Sequence, residues 1–297
     1  MSATARGRNT VCELPPSQDP VARAFRWACL AELRAFKPGN VSVRAPGHGM
    51  CAGDFVRSAR CAAGAFARPE LKVGELVLAA IGATQRELAC NTNLGIVLLC
   101  APLARAARIT PPGSDLAAAL DHVLATLDRD DAGHTFAAIQ LAAPAGLGRR
   151  RRHDVRAPVE VGLLQAMQTA AHRDRIAYQY ANGFADVFEL GLPRLREEIR
   201  LGRGWRWAVV GVYLEFLARI PDTHIRRKFG DVVAVEVQRT AQALRERFQQ
   251  LVDPKRLTDL LAPFDADLKR RGLNPGTSAD MVVATLFAHR LAGESVR

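Results

Sequence analysis

Two features that the sequence has little of, aromatic side chains and paired cysteines, already exclude classes of protein. Only 6% of the 297 residues are aromatic, which argues against a nucleic-acid binder that stacks bases on exposed rings. Six cysteines are present, but none forms a C-x-x-C pair and no Cys/His cluster has zinc-finger spacing. We therefore expect a reduced, cytoplasmic protein.

Long apolar runs are also missing from the sequence. No stretch of about 18 residues is free of charge, so we expect no transmembrane helix. The first eight residues lack the apolar core of a signal peptide. The composition is otherwise that of an ordinary globular chain, with 48% hydrophobic and 24% charged residues.

Acidic residues are outnumbered, with 30 Asp and Glu against 41 basic residues and a net charge of +11. Arginine supplies 36 of the 41 basic residues. One interpretation is codon bias, because Ala, Arg, Leu and Gly are abundant together. The other is an anionic ligand, because the guanidinium group matches phosphate.

Strand patterns are nearly absent, and helix signals dominate from residue 19 onward. Asp19 and Pro20 supply an N-cap and an N1 proline, and Lys37-Pro38-Gly39 closes that helix. The Val-rich segment 231–235 is the main ambiguity between helix and strand. Further helices are predicted at 54–67, 74–88, 93–107, 115–127, 132–143, 158–171, 173–190, 193–201, 205–219, 231–250, 256–271 and 278–292.

These patterns predict an all-α fold. A flexible tail over residues 1–18 is expected to precede a single bundle-like helical domain over residues 19–297. Its polar cleft would be formed by the loops between helices. The predicted loops are 38–53, 108–114, 144–157, 220–230 and 272–277.

Glu32 is a charged residue at an apolar position. On a helical wheel it lies between Ala28 and Phe25, in the middle of the apolar stripe of the first helix. A buried carboxylate needs a partner, a metal or a shifted pKa. Glu32 therefore belongs either to a structural salt bridge or to a site.

The loop over residues 37–50 combines turn-forming Gly and Pro with the polar residues Lys37, Asn40, Arg44 and His48. Such loops can wrap phosphates, although this one is not a Walker loop. His48 is the residue near these motifs that can act as a base at neutral pH.

A second polar cluster, Asn91, Thr92 and Asn93, precedes an apolar helix. An N-cap explains one of the three residues. The others can face a ligand at the helix N-terminus, where anions are favoured.

A third cluster covers residues 221–228 and includes Asp222, Thr223 and Arg226. A solvated turn is the alternative interpretation of this cluster. The run of four arginines over residues 149–152 is in turn either a solvated loop or a local anion contact.

A fourth cluster starts the last helix with Asn274, Gly276 and Ser278, and places Asp280 in its first turn. Asp280 can simply oppose the helix dipole. It can equally hold Mg²⁺ while the N–H groups of the turn hold phosphate. No H-E-x-x-H, G-x-S-x-G or G-x-G-x-x-G motif occurs, so zinc-protease, serine-hydrolase and dinucleotide interpretations have no support.

Together these clusters resemble the triphosphoribosyl-dephospho-CoA synthase family, as a divergent branch. Its segments K-P-G-L-V, N-T-H-K-G-A-I-F and D-T-N-I-x-x-R-x-G are similar to the segments that begin at Lys37, Asn91 and Asp222. Its segments G-A-H-x-D-M and P-G-G-S-A-D-L-L-A are similar to those that begin at Gly47 and Pro275.

The likeness runs from about Glu32 to Phe287, and it departs from the family at two polar positions. Asn93 and Leu94 stand where the family has His and Lys. Loss of a cation from a phosphate site is not a conservative change, and it leaves the acceptor open.

The resemblance implies an enzyme that breaks the N-glycosidic bond of ATP. The 2′-hydroxyl of 3′-dephospho-CoA would attack C1′ of the ribose, adenine would leave, and the triphosphate would travel with the sugar. The product is the precursor of the prosthetic group of citrate lyase and malonate decarboxylase. An oxocarbenium-like transition state then calls for an acid, a base and positive charge around the triphosphate.

The resemblance also assigns roles to the polar clusters. Asp222 and Asp280 are the candidate acid/base groups or Mg²⁺ ligands, Glu32 is the third carboxylate, and His48 is a candidate base. The phosphate candidates are Lys37, Arg44 and Arg226. The remaining candidates for substrate binding are Asn40, Asn91, Thr92, Asn93, Thr223, Asn274, Gly276 and Ser278.

Two other functions remain open at this point. The chain could be a related nucleotide-dependent glycosyl or phosphoribosyl transferase with another acceptor, in a coenzyme or C1 pathway. It could also be a non-enzymatic helical protein that binds anions or nucleic acid. The expected partners are ATP with Mg²⁺ and a CoA-like or other coenzyme acceptor, without membrane, with nucleic acid disfavoured and with the oligomeric state open.

Overall fold

Helices make up the regular structure of the described part of the chain, which covers residues 17–43, 45–88, 91–111, 115–144, 148 and 153–293 of a computed structural model. The two β-bridges found in those residues are isolated and lie in the loop after the first helix. The α-helices are α1 (Pro20–Arg34), α2 (Ala52–Phe66), α3 (Val73–Leu88), α4 (Leu94–Ile109), α5 (Leu116–Ala125), α6 (Arg129–Ala142), α7 (Leu163–Ala170), α8 (Arg175–Ala181), α9 (Leu192–Arg200), α10 (Trp205–Arg219), α11 (Thr223–Phe229), α12 (Asp231–Gln249), α13 (Pro254–Arg270) and α14 (Gly276–Leu291). The all-α prediction is confirmed.

Side-chain caps explain where several helices begin. Asp19 accepts a hydrogen bond from the Ala22 N–H, and Asp115 accepts one from the Ala117 N–H. Each satisfies an N–H group that the first turn leaves free. The Val-rich start of α12 is helical, which settles that ambiguity.

Three predicted boundaries were wrong. The helix predicted over 158–171 begins only at Leu163. The helix predicted over 173–190 is divided, because Gly183 and Phe184 adopt positive φ angles of 57° and 58° that end α8. A π-helical segment, Asp186–Gly191, then leads into α9. The loop predicted over 220–230 contains α11.

The core is centred on helices that are buried on nearly every side. Residues 281–289 of α14 and 208–218 of α10 are buried without a break, as expected of helices that are apolar all round. α14 packs against α1, α4 and α10. Phe25 stacks on Phe66 with ring centroids 3.8 Å apart, and Phe287 meets both rings edge-on.

None of the helices in the described ranges is both long and apolar enough to cross a membrane.

Candidate active site

A cavity of about 990 Å³ opens where α4, α11 and α14 begin and where the loop after α1 folds back. This volume is at the upper end of the range for small-molecule sites. Segments far apart in the sequence therefore share one site. The sequence-predicted residues that line it are Glu32, Asn40, His48, Asn91, Thr92, Asn93, Arg226, Asn274, Gly276 and Asp280.

Asp280 lies in the first turns of α14 and lines the cavity. Its carboxylate lies against α4, because a β-carbon added to Gly95 would come within 2.0 Å of Asp280 Oδ2. Burial raises the pKa of Asp280 well above its ordinary value, and the nearby carboxylates of Asp222 and Glu32 raise it further. Asp280 is therefore a carboxyl group that holds its proton at higher pH than a surface aspartate.

Glu32 reaches the cavity from α1 and forms an ion pair with Lys37, with 3.0 Å between Oε1 and Nζ. Lys37 is fully buried, and its Nζ also donates to the carbonyl oxygens of Glu32 and Val41. Burial raises the pKa of Glu32 and lowers that of Lys37, while each partner's charge opposes the change. Lys37 is not among the residues that line the cavity, so the structure does not bring this phosphate candidate to the site.

His48 stands in the loop after α1 with a positive φ of 57°. Its Nε2 lies 2.8 Å from the Gly39 carbonyl oxygen. A carbonyl can only accept, so Nε2 carries the hydrogen and the neutral ring has its lone pair on Nδ1. The Gly39 N–H in turn donates to Asp265 of α13 at 2.8 Å, which fixes the loop that carries His48.

Amide side chains connect the walls of the cavity. Asn40 donates to Asn274 at 2.8 Å and joins the loop after α1 to the start of α14. Asn93 donates to Thr84 at 3.0 Å, while Asn91 accepts from the Leu94 N–H at 3.2 Å. Asn91 therefore provides the cap that the sequence suggested for one member of this cluster.

Asp222 is buried behind the cavity wall and is not among its lining residues. It caps α11 by accepting from the N–H groups of His224 and Ile225. Its other oxygen accepts from both the N–H and the hydroxyl of Ser278, each at 2.8 Å. Burial raises the pKa of Asp222, while these hydrogen bonds lower it.

Thr223 also lies outside the lining and lies 3.0 Å from Thr277, oxygen to oxygen. Asp222, Thr223 and Ser278 thus join α11 to α14. The structure places these three predicted site residues in the support of the cavity.

Cations gather along one side of the cavity. Arg226 lines it and is ion-paired with the exposed Asp231. The sequence analysis missed three other cations in the lining, which are Arg173, Arg227 and Lys228. Arg44 and the arginine run at 149–152 lie outside the described residues.

His224 is a further lining residue that the sequence analysis did not select. Its Nε2 is buried and has no hydrogen-bond partner. The signal was present, since His224 follows Asp222 and Thr223 directly, but sequence alone did not show which of these neighbours faces the cavity.

No group of three or more His, Cys, Asp or Glu side chains that could hold a metal ion occurs in the part of the chain that the structure describes. Mg²⁺ usually needs only one or two carboxylates when substrate phosphates complete its shell. Glu32 and Asp280, which both line the cavity, fit this smaller requirement.

Fold and site together define an all-helical protein with one large cavity, cationic on one side and lined by carboxyl, imidazole and amide groups. The model of the family described as ATP:dephospho-CoA triphosphoribosyl transferase matches residues 18–296. The chain belongs to that family.

Individual relatives are more distant. The chain is 27% identical over 143 residues to the "Probable 2-(5''-triphosphoribosyl)-3'-dephosphocoenzyme-A synthase" of Pseudomonas fluorescens, which covers 44% of this chain and 48% of the relative. It is 28% identical over 162 residues to the protein of the same name from Stutzerimonas stutzeri, covering 54% of this chain and 51% of the relative. The chain therefore spans about half the length of the curated relatives it matches.

A crystal structure from Archaeoglobus fulgidus, described as a triphosphoribosyl-dephospho-CoA synthase, is similar over a larger part of the chain. It has a TM-score of 0.64 and 26% identity, and the match covers 80% of this chain and 99% of that one. The shared fold therefore includes most of the helices described above.

Proposed function

We propose that this protein transfers the 5-triphosphoribosyl group of ATP to the 2′-hydroxyl of 3′-dephospho-CoA and releases adenine. The observation that carries the proposal is that one cavity is lined by a carboxyl with a strongly raised pKa, an imidazole with an available lone pair, and cations. These groups match the three requirements of the reaction, which are an acid, a base and positive charge.

Asp280 is the proposed acid. Adenine is a poor leaving group as an anion, so a proton donated to a ring nitrogen lowers the barrier to cleavage of the C1′–N9 bond. The raised pKa keeps the Asp280 proton available at pH values where a surface aspartate has lost it. The proton therefore moves from Asp280 to adenine as the bond breaks.

His48 is the proposed base. Its Nε2–H is engaged with Gly39, so Nδ1 can accept the proton of the attacking 2′-hydroxyl as the new C1′–O bond forms. The acid and base thus come from α14 and from the loop after α1, two elements that the Asn40–Asn274 hydrogen bond links. This separation allows attack and departure on different sides of the sugar.

Arg226, Arg227 and Lys228 are the proposed partners of the triphosphate. They lie along the same side of the cavity, and guanidinium groups bind phosphate oxygens in a fixed fork. The Asp231 partner of Arg226 is mostly exposed, so phosphate can replace it at little cost. Mg²⁺ would enter with ATP, neutralise part of the phosphate charge and be held by Glu32.

Apolar side chains form another part of the cavity, among them Leu98, Phe136 and Met167. They have no role toward a polyphosphate. They can bury the pantetheine arm of dephospho-CoA, whose methyl and methylene groups gain from leaving water. The cavity thus offers separate surfaces to donor and acceptor.

The test is to incubate the protein with Mg-ATP and 3′-dephospho-CoA and to separate the nucleobase and nucleotide products by chromatography. Free adenine that forms only when the acceptor is present supports the proposal. ADP or AMP without adenine would show that a phosphoanhydride is cleaved instead. Intact CoA, tested as acceptor in parallel, reports whether the 3′-phosphate is excluded.

A further inference from the structure

The backbone of His224 is fixed between two helices. Its N–H lies 2.9 Å from Asp222 Oδ1 within α11 and 3.1 Å from the Thr277 hydroxyl of α14. The imidazole lies directly over Gly276, where a β-carbon would come within 2.7 Å of Nδ1. The glycine therefore makes room for the ring at the cavity wall.

The hydrogen bonding of this imidazole is incomplete. Nε2 is buried and finds no partner among the described residues, although buried polar atoms are nearly always bonded. Burial lowers the pKa of His224 to about 3, and the charges of Lys228, Arg227 and His48 act in the same direction. At neutral pH the ring is uncharged and offers one donor and one acceptor.

The position of the ring relates it to Asp280. Gly276 and Asp280 are four residues apart in α14, so they lie on the same face of the helix about 6 Å apart. A ring seated on Gly276 is therefore about one helical turn from the Asp280 carboxyl. A ligand group that touches one of them is within reach of the other.

We propose that His224 binds the purine ring of the nucleotide donor and positions the leaving base beside Asp280. This inference rests on the proposed function. A purine edge presents an amino donor and ring-nitrogen acceptors, and a neutral imidazole complements such a pair. Phosphate oxygens accept only, and the arginines and Lys228 already serve them.

The experiment measures the binding of two fragments of the donor by calorimetry with the full-length chain. The probes are adenine and inorganic triphosphate with Mg²⁺. For His224→Ala we expect adenine to bind about 10-fold more weakly, as for loss of one hydrogen bond, and triphosphate to bind within about 2-fold of the wild type. His224→Asn and His224→Gln, which replace one ring nitrogen each, should fall between.

Two further variants make the result decisive. His122→Gln, at an exposed position of α5, is the matched control and should change neither affinity. Gly276→Ala leaves His224 in place but displaces its ring, so it should weaken adenine binding like His224→Ala. It also tests the proposal if His224→Ala fails to fold.

Three results would overturn the inference: a loss of triphosphate affinity with adenine affinity intact, an equal loss of both, or no change in either. These results differ from failure of the proposed function itself. In that case the wild-type protein would release no adenine from ATP when dephospho-CoA is present.

Discussion

The carboxylate of Asp280 lies against the backbone of Gly95, so closely that a β-carbon at residue 95 would come within 2.0 Å of Asp280 Oδ2. Gly95 belongs to the first turn of α4 and Asp280 to the early turns of α14. Two segments separated by 185 positions in the sequence (280 − 95) thus determine together where the proposed acid lies. This contact makes the position of the carboxyl group sensitive to a single methyl group.

Gly95→Ala should therefore displace the Asp280 carboxylate. We expect adenine release per folded enzyme to fall strongly, together with a loss of stability of about 1–3 kcal/mol, typical of overpacking. Turnover and thermal unfolding should be measured on the same preparation. Gly64→Ala is the control, because a β-carbon there meets nothing within 4 Å, and it should stabilise α2 slightly. Normal turnover in Gly95→Ala would contradict the importance of this contact.

Asp280→Asn should abolish adenine release and leave the fold intact. Loss of a group that transfers a proton costs about 10²–10⁴-fold in rate. Added Mg²⁺ should not restore the activity, whereas a lost metal ligand would be partly rescued by more metal. Asp115→Asn is the control, since asparagine caps a helix about as well as aspartate, and it should be silent.

Stability should depend on pH through the same carboxyl group. The pKa of Asp280 is raised in the folded protein, above about 3.9 in the unfolded chain. Between these two values the folded state binds more protons, so the free energy of unfolding decreases as the pH rises. Asp280→Asn removes this contribution, so its stability relative to wild type should increase from pH 5 to pH 8. The pH series of urea unfolding curves measures the difference, and a constant difference would count against a raised pKa.

Lys37→Met tests whether Lys37 acts as a structural partner of Glu32. The substitution leaves a buried carboxylate without its counter-charge, which costs about 3–5 kcal/mol. Glu32→Gln combined with Lys37→Met should recover part of that loss. Lys255→Met, at an exposed position, should change little. If Lys37→Met is as stable as wild type and instead loses affinity for triphosphate, Lys37 is a phosphate ligand after all.

Sequence reasoning was most successful where one residue type has one dominant structural effect. Asp19 and Asp115 cap the helices they precede, and Glu32 on an apolar face has the buried partner that a charge there requires. The all-α fold also follows from helical periodicity, because that pattern repeats over most of the chain.

Other features depend on contacts between distant segments and leave no local signal. Lys37 follows the end of α1, so no periodicity shows that its ammonium group turns inward. α11 has only seven residues and buries two of them, which is too little to mark a helix. Phe184 adopts a left-handed φ that is uncommon for a residue other than glycine, so the end of α8 could not be predicted. The two faces of the third cluster, Asp222 behind the wall and His224 on it, are likewise set by α14.

The most direct test of the account follows the ribose carbon of ATP. The protein is incubated with Mg²⁺, 3′-dephospho-CoA and ATP labelled with ¹³C at C1′ of the ribose, and the products are analysed by mass spectrometry and ¹³C NMR. The account predicts an acceptor heavier by one labelled triphosphoribosyl group, with unlabelled adenine released in equal amount. Label that stays in ADP, AMP or intact ATP, with an acceptor of unchanged mass, would contradict it.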